Sequence, residues 1–253
     1  MSARIVGVIP ARWGSTRFPG KSLAMLAGEP LVCRVCQAAA RAAGLDDLWV
    51  ATDDERIAAA VRAAGFEPIM TPSELPSGTD RIAWALRGRP AEGVINIQGD
   101  EPLIAPALID RLAGVLRHQP ACGMATVAVP FGPDEDVGNP AAVKVVCDRV
   151  GRALYFSRAP IPYWRDRTAA GPAPRYLRHI GLYAYRRDLL EQLVAEPPCA
   201  LEEAERLEQL RALDLGAQIQ VLETEAAAPG VDTPEDLAVV QTLWRARQPE
   251  GTP

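Results

Sequence analysis

Disulfides have little to build on in this chain of 253 residues: its five cysteines are odd in number and scattered, which excludes the stapled framework of a small secreted domain. Cys33 and Cys36 form a Cys-x-x-Cys pair, but no second pair follows, and both fall in an Ala/Val/Leu-rich helical stretch where small thiols fill a core. Positive charge is not in surplus either. A formal net charge of −5 argues against a nucleic-acid partner, which calls for a basic face. The N-terminus lacks the pattern of a signal peptide, and no apolar run approaches the length of a membrane span, so a cytoplasmic protein without membrane insertion is expected. No Gly-x-Gly-x-x-Gly follows the first apolar run, which leaves a dinucleotide-binding reading without its fingerprint. An apolar fraction of 48% and a charged fraction of 23% are ordinary for a globular protein, and the length suits one large α/β domain or a domain with a small lobe.

What is present begins at Arg4. An apolar run to Ile9 gives way to Pro10-Ala-Arg-Trp-Gly-Ser-Thr-Arg-Phe-Pro-Gly-Lys21, a loop with two glycines, two hydroxyls and three cations. Glycine lets backbone approach a ligand closely, Ser15 and Thr16 add donors, and Arg12, Arg17 and Lys21 supply charge, so the loop is suited to phosphate. A plain surface loop with solvated cations is the alternative, and the density of donors weighs against it. The loop is not a Walker A sequence: Gly14 and Gly20-Lys21-Ser22 enclose one residue too many, and Pro19 has no N–H to give.

Short apolar runs then alternate with helical patterns. Helices are expected over 30–43, 55–64 and 106–118, and strands over 48–51, 67–70, 93–97 and 122–130, which implies βαβ units and a parallel sheet. Thr52, Asp53 and Asp54 read as an N-cap or as ribose contacts. The loop from Thr71 to Arg81 gathers donors before a helix, so Ser77, Gly78 and Arg81 are candidates for a second wall of a nucleotide pocket, with capping as the alternative for Ser77 or Thr79. The strand at 93–97 ends in Gln98-Gly-Asp-Glu-Pro102. Ligands of open parallel sheets gather beyond such strand ends, and a carboxylate there, facing phosphate, needs a bridging cation. Mg²⁺ bridges at roughly 2.0–2.1 Å to oxygen, which makes Asp100 the first candidate metal ligand. His118 is expected to be a solvent-facing residue or a partner of its helix dipole.

Beyond residue 140 the pattern changes, with strands expected at 142–147 and 153–156 and no long helix between them, as in added antiparallel structure. Between Arg152 and Arg187 lie eight arginines interleaved with seven aromatic residues, a composition suited to an acidic substrate or to an interface. An amphipathic helix is expected from Leu201 to Leu215, most of its glutamates forming a solvated face, and a strand over 218–222. Thr233 caps the last helix with Pro234 at its first position, which frees Asp232 to be a second metal ligand.

With these segments in hand, the sequence resembles the 3-deoxy-manno-octulosonate (Kdo) cytidylyltransferases, or CMP-Kdo synthetases. The stretches that carry the resemblance are IPARWGSTRFPGK, ATDDER, SGTDRIA, NIQGDEP, GMATVAVP, AVKVV, ALYFSRAPIP, LRHIGLYAYR, LEQLRAL and GVDTPEDL, nearly the whole chain to about Leu243. The resemblance implies an α/β nucleotidyltransferase fold, with a mostly parallel sheet flanked by helices and a smaller antiparallel dimerisation and substrate lobe. On this reading residues 1–247 form one domain, the lobe is inserted at about 150–190, and 248–253 are a flexible tail. The implied partners are CTP, Kdo and Mg²⁺, in a homodimer that makes CMP-Kdo and pyrophosphate for lipopolysaccharide. Arg12, Ser15 and Lys21 correspond to triphosphate contacts, and Ser77, Gly78, Arg81 and Gln98 to the nucleotide side. Asp100 and Asp232 correspond to metal ligands, and with Arg12 and Lys21 they form the catalytic group. Gln98, Arg158, His179, Tyr183, Glu208 and Gln209 correspond to the sugar-acid side. The alternatives are a cytidylyltransferase for another acidic sugar, such as sialic acid or an amino analogue of Kdo, a P-loop kinase, or a noncatalytic nucleotide-binding module.

Overall fold

A computed structural model of the chain describes residues 3–14, 17–166 and 174–247. It divides into two compact units, one made of residues 1–113 and 228–253 and the other of residues 114–227.

In the first unit β1 (Ile5–Ala11) is buried along nearly its whole length, as a continuous apolar run in a parallel sheet should be. A single 3₁₀ turn, Lys21–Leu23, and a two-strand hairpin of β2 (Met25–Leu26) and β3 (Glu29–Pro30) lead into α1 (Leu31–Ala39). There follow β4 (Asp47–Thr52), α2 (Glu55–Ala63), β5 (Glu67–Met70), α3 (Gly78–Ala85), β6 (Gly93–Asn96) and α4 (Pro106–His118). The strands β6, β1, β4 and β5 pair in that order, all parallel, as the alternation of short strands and helices implies. Cys33 and Cys36 are buried in α1, in the core-filling role expected of them, and His118 is exposed at the last turn of α4.

The second unit takes over within α4. Its strands are β7 (Cys122–Pro130), β8 (Lys144–Cys147), β9 (Ala153–Ser157) and β10 (Leu177–Arg186). β10 lies antiparallel to both β7 and β8, and β8 lies antiparallel to β9, which is the smaller antiparallel part that the sequence suggests. α5 (Arg187–Ala195), α6 (Ala200–Glu205) and α7 (Gln209–Asp214) precede β11 (Gln218–Glu223), which pairs parallel to β7. The chain then re-enters the first unit as α8 (Pro234–Arg247).

One expected element is corrected. The single helix over 201–215 is two short helices, broken at Arg206, whose backbone is left-handed with φ 53° and ψ 48°. The carbonyls of Glu205 and Arg206 at the break accept from the Arg158 guanidinium instead of continuing a helical ladder. Nor are its glutamates simply a solvated face. Glu202 forms a two-pronged ion pair with Arg211 at 2.7 Å, and Glu205 accepts from Ser157 and from the Arg158 backbone.

In the first unit Leu26, Leu31, Leu103, Val231 and Val240 form a buried cluster with Phe18, Leu237 and Trp244 packed against it. It seats the N-terminal end of α8 against the hairpin and the segment after β6. The turn beyond β6 is equally close, since a Cβ on Gly99 would stand 2.9 Å from the carbonyl oxygen of Pro10 in β1. Backbone cannot yield there as the tip of a side chain could. Gly114, within α4, has no described atom outside its own helix backbone within 4 Å of its Cβ position. Gly99→Ala should therefore lower stability by about 1–3 kcal/mol, as overpacking does. Gly114→Ala should raise it by about 0.4–1 kcal/mol. Urea denaturation of the two variants checks the opposite signs.

Candidate active site

Three segments of the first unit converge on one point. β1 delivers Arg12 and Trp13, β6 delivers Asp100 through a turn in which Glu101 N–H donates to Gln98 C=O at 3.3 Å, and the start of α8 delivers Asp232. The buried Val231 donates its N–H to the carbonyl of Asp100 at 2.9 Å, so the backbone itself holds the two aspartates next to each other. The cap of α8 is as expected: Asp236 N–H donates to Thr233 Oγ1 at 3.2 Å, and the Asp236 carboxylate accepts from Thr233 and Asp232 N–H. The Asp232 carboxylate is thereby left for other partners.

Those partners are cations. Lys21 Nζ lies 2.7 Å from Asp100 Oδ2 and 3.1 Å from Asp232 Oδ1, and Arg17 reaches the other oxygen of Asp232 at 3.1 Å. Lys21 arrives here because Gly20, at φ 71°, turns the loop back over the Trp13 ring into the 3₁₀ turn. Trp13 is anchored in turn by Asp53, which accepts from its N–H at 3.2 Å, and by the Arg56 guanidinium stacked 3.3 Å from its ring centroid. Burial, and then the adjacent Asp100 carboxylate, push the Glu101 carboxyl up to about 7. Two carboxylate oxygens already sharing one ammonium form a hard oxygen donor set, and Mg²⁺ is commonly held by one or two carboxylates plus substrate oxygens. The residues present fit that ion. Among the described residues no group of three or more His, Cys, Asp or Glu gathers as an all-protein cage, so such an ion needs further oxygens from a ligand.

Arg12, the residue after β1, is exposed, and Gln98 is half-buried in the turn after β6. Ser15 lies outside the described residues. Of the proposed nucleotide wall, Ser77 is the N-cap of α3, its hydroxyl accepting from Asp80 N–H at 3.1 Å. Gly78, the first residue of α3, is exposed. Arg81 is not at the surface: it is 3% exposed, bonded to Thr71 and paired with Asp53 at 3.0 Å, so it braces the wall from inside through the residue that anchors Trp13. Asp53 is thus engaged with Trp13 and Arg81, and the cap of α2 is Asp54.

The second unit brings together another set. Tyr183 donates to Gln209 Oε1 at 3.3 Å, its ring 5.4 Å from that of His179, which meets Phe156 edge-on at 5.0 Å. A register shift between Ile180 and Tyr183 breaks the pairing of β10 with β7, and the Thr126 hydroxyl lies within bonding distance of the Ile180 and Leu182 carbonyls. The same hydroxyl lies 2.9 Å from His179 Nε2. Burial holds the His179 pKa down to about 3 and pushes the Tyr183 phenol up, with Glu208 adding to the second effect. Gln209 is 4% exposed, and among the described residues its Nε2 has no acceptor, a buried donor of the kind a ligand oxygen satisfies.

Residues 6–219 match the model of the cytidylyltransferase family. The 3-deoxy-manno-octulosonate cytidylyltransferase of Bdellovibrio bacteriovorus is 50% identical over 241 residues, covering 95% of this chain and 97% of that protein. The enzyme of that name from Syntrophobacter fumaroxidans is 51% identical over 244 residues, with the same coverage. The chain belongs to the 3-deoxy-manno-octulosonate cytidylyltransferases. A solved CMP:2-keto-3-deoxy-manno-octonic acid synthetase complexed with CTP matches this cytidylyltransferase with a TM-score of 0.92 and 43% identity, over 97% of this chain and all of that one. The 4-diphosphocytidyl-2C-methyl-D-erythritol synthase of Anaerococcus prevotii, at 13% identity and a TM-score of 0.63 over 96% of each chain, shares the fold alone. This member of the family is accordingly a nucleotidyltransferase of α/β fold, as the motifs implied.

Most of the described arginines between 152 and 187 have partners within the second unit, although Arg175 and Arg152 keep 63% and 48% of their side chains exposed. Arg158 and Arg186 donate to backbone carbonyls, and Arg152, Arg175, Arg178 and Arg187 pair with Asp148, Glu223, Glu135 and Glu191. Arg167 lies outside the described residues. Two residues escaped the sequence reading as parts of these arrangements. Thr126 gave no signal, and Lys144 carried one: a lysine among the valines of a strand.

The neutral His179 has a consequence for stability. The unfolded chain takes up a proton near the ordinary pKa of 6.5 and the folded protein does not. The contribution is present above about pH 6.5 and is lost as the pH falls from there toward about 3. The stability difference between wild type and His179→Gln, measured by urea denaturation, should shrink by about 2 kcal/mol between pH 7 and pH 5. A difference that stays constant would show that His179 titrates alike in both states.

Proposed function

We propose that this protein transfers CMP from CTP to the anomeric 2-hydroxyl of Kdo, releasing pyrophosphate and supplying CMP-Kdo for lipopolysaccharide synthesis. The observation that carries the reading is the Lys21 ammonium between the carboxylates of Asp100 and Asp232, with Arg17 on the second of them. Without ligand, two anions are met by two cations. An arriving triphosphate competes for those cations, and Lys21 passes to its phosphate oxygens beside Arg12 and Ser15. Asp100 and Asp232, freed of their internal counter-ion, are the residues that would hold Mg²⁺. When bound, that ion supplies Lewis-acid stabilisation of the α-phosphate and favours ionisation of the attacking hydroxyl.

The chain's own residues do the rest. Arg12 and Lys21 offset the charge that builds on the leaving pyrophosphate, a contribution that grows toward the transition state. Ser77, Gly78, Arg81 and Gln98 shape and hold the nucleotide side, Arg81 from behind through Asp53. His179, Tyr183, Glu208, Gln209 and Arg158, with Gln98, serve the sugar acid. In this role His179 presents a neutral ring, and the unpartnered Gln209 Nε2 offers a buried donor to a sugar oxygen. Residues 1–247 act as one catalytic domain in this reading. The active form is a homodimer, a proposal supported by the exposure of Leu154 and Tyr163, at 62% and 80%, on the second unit. No helix among the described residues is long and apolar enough to cross a membrane, which accords with action in the cytoplasm on small substrates.

Pyrophosphate release with Mg²⁺, each nucleoside triphosphate in turn and a panel of acidic sugars tests the reading. CTP with Kdo should be the preferred pair, and preference for a sialic acid would replace the substrate named here. Asp100→Asn and Asp232→Asn should each lower kcat by about 100-fold or more while CTP binding changes far less. Lys21→Met should weaken CTP binding by about tenfold, read by titration. In the absence of nucleotide the same variant should bind Mn²⁺ more tightly than wild type, because the two carboxylates lose their internal cation.

A further inference from the structure

Lys144 begins β8 and is fully buried, though nothing in the proposed chemistry uses it. An ammonium is costly to remove from water, and burial pushes this one below the ordinary lysine range. A packed aliphatic side chain would often serve stability as well. What Lys144 does instead is hydrogen-bond: its Nζ donates to the carbonyl of Asn139 at 3.0 Å and to the carbonyl of Arg158.

Arg158 carries the connection onward. Its Nε donates to Glu205 C=O at 2.6 Å, its Nη1 to Pro140 C=O at 3.0 Å and its Nη2 to Arg206 C=O at 3.3 Å. The Glu205 carboxylate returns to the same strand end, accepting from Ser157 Oγ at 2.6 Å and from Arg158 N–H at 2.9 Å. Three stretches far apart in sequence, 139–140, 157–158 and 205–206, are therefore tied around one buried ammonium and one guanidinium. The third is the break between α6 and α7, where Arg206 adopts a left-handed backbone that a non-glycine residue keeps only when its surroundings hold it there. Two and three residues beyond the break are Glu208 and Gln209, and Gln209 meets Tyr183.

We infer that Lys144 and Glu205 are positioning residues for the acidic sugar: with Arg158 they clamp the α6–α7 break so that Gln209 and Tyr183 are presented in one fixed arrangement. The inference rests on the sugar-acid role proposed above for Gln209 and Tyr183. It differs from a general contribution to stability in what it affects, since the triphosphate residues belong to the first unit and the clamp to the second.

The test uses the full chain with Lys144→Met and Glu205→Gln, reading pyrophosphate release with Kdo varied at saturating CTP and with CTP varied at saturating Kdo. Each variant should raise KM for Kdo about tenfold or more and leave KM for CTP within about twofold, with the CTP-induced rise in melting temperature retained. A Kdo KM within twofold of wild type in a folded variant overturns the inference. So does a rise of both KM values in step with a fall in melting temperature, which is what plain scaffolding produces. Should Lys144→Met fail to fold, Glu205→Gln decides by the same readings, its amide oxygen still able to accept one of the two bonds. Wild-type protein that turns over CTP with none of the acidic sugars overturns the proposed function and this inference with it. An active wild type with unaffected variants overturns the inference alone.

Discussion

Two carboxylates side by side repel each other, and the site in the first unit depends on keeping Asp100 and Asp232 together despite this. The backbone bond from Val231 N–H to the Asp100 carbonyl, 2.9 Å long, does so without using either side chain. It survives because Val231 is fully buried in the cluster that seats the N-terminal end of α8, so that water does not compete for the bond. The Lys21 ammonium then offsets the repulsion that the backbone imposes. A site built in this way is satisfied without ligand and is still open to exchange, because its positive partner sits on a glycine-containing loop and not on a strand.

Around that point the fold uses polar side chains to fix other polar side chains. Asp53 anchors Trp13 and is itself held by the buried Arg81, so the wall below the loop is braced from within. Thr233 and Asp236 cap α8 between them and leave Asp232 to Lys21 and Arg17. The second unit follows the same economy of roles. Thr126 occupies the irregularity in β10 and meets His179 there, while Arg186 donates to the carbonyls of Leu116 and Cys122 near the end of α4.

The elements were legible wherever local pattern decides them. β5, α4 and β7 begin and end where turn residues and apolar runs place them, and the cap at Thr233 was readable from Thr-Pro-Glu-Asp alone. The loop from Arg12 to Lys21 and Asp100 were singled out from their chemistry and from their place after strands, and Asp232 because the cap at Thr233 leaves it free. Which arginines between 152 and 187 serve a substrate and which an interface was not legible in the sequence. Composition suggested an acidic substrate or an interface for them, and it gave no sign that most of those described meet carbonyls and carboxylates of the second unit. Helical periodicity over 201–215 likewise gave no sign of the break at Arg206, since a bond that stabilises the break comes from Arg158, 48 residues away.

By itself, then, the sequence determined the parallel α/β layout, the caps, the core cysteines and the motifs that mark the family, because these follow from periodicity and from neighbours within a few positions. Only tertiary structure decided which charged groups meet. Lys21 and Asp232 are 211 residues apart, Arg81 and Asp53 are 28 apart, and Arg158 and Glu205 are 47 apart. An ion pair or a buried hydrogen bond is selected by distance and desolvation in space, and nothing in a local pattern encodes either one.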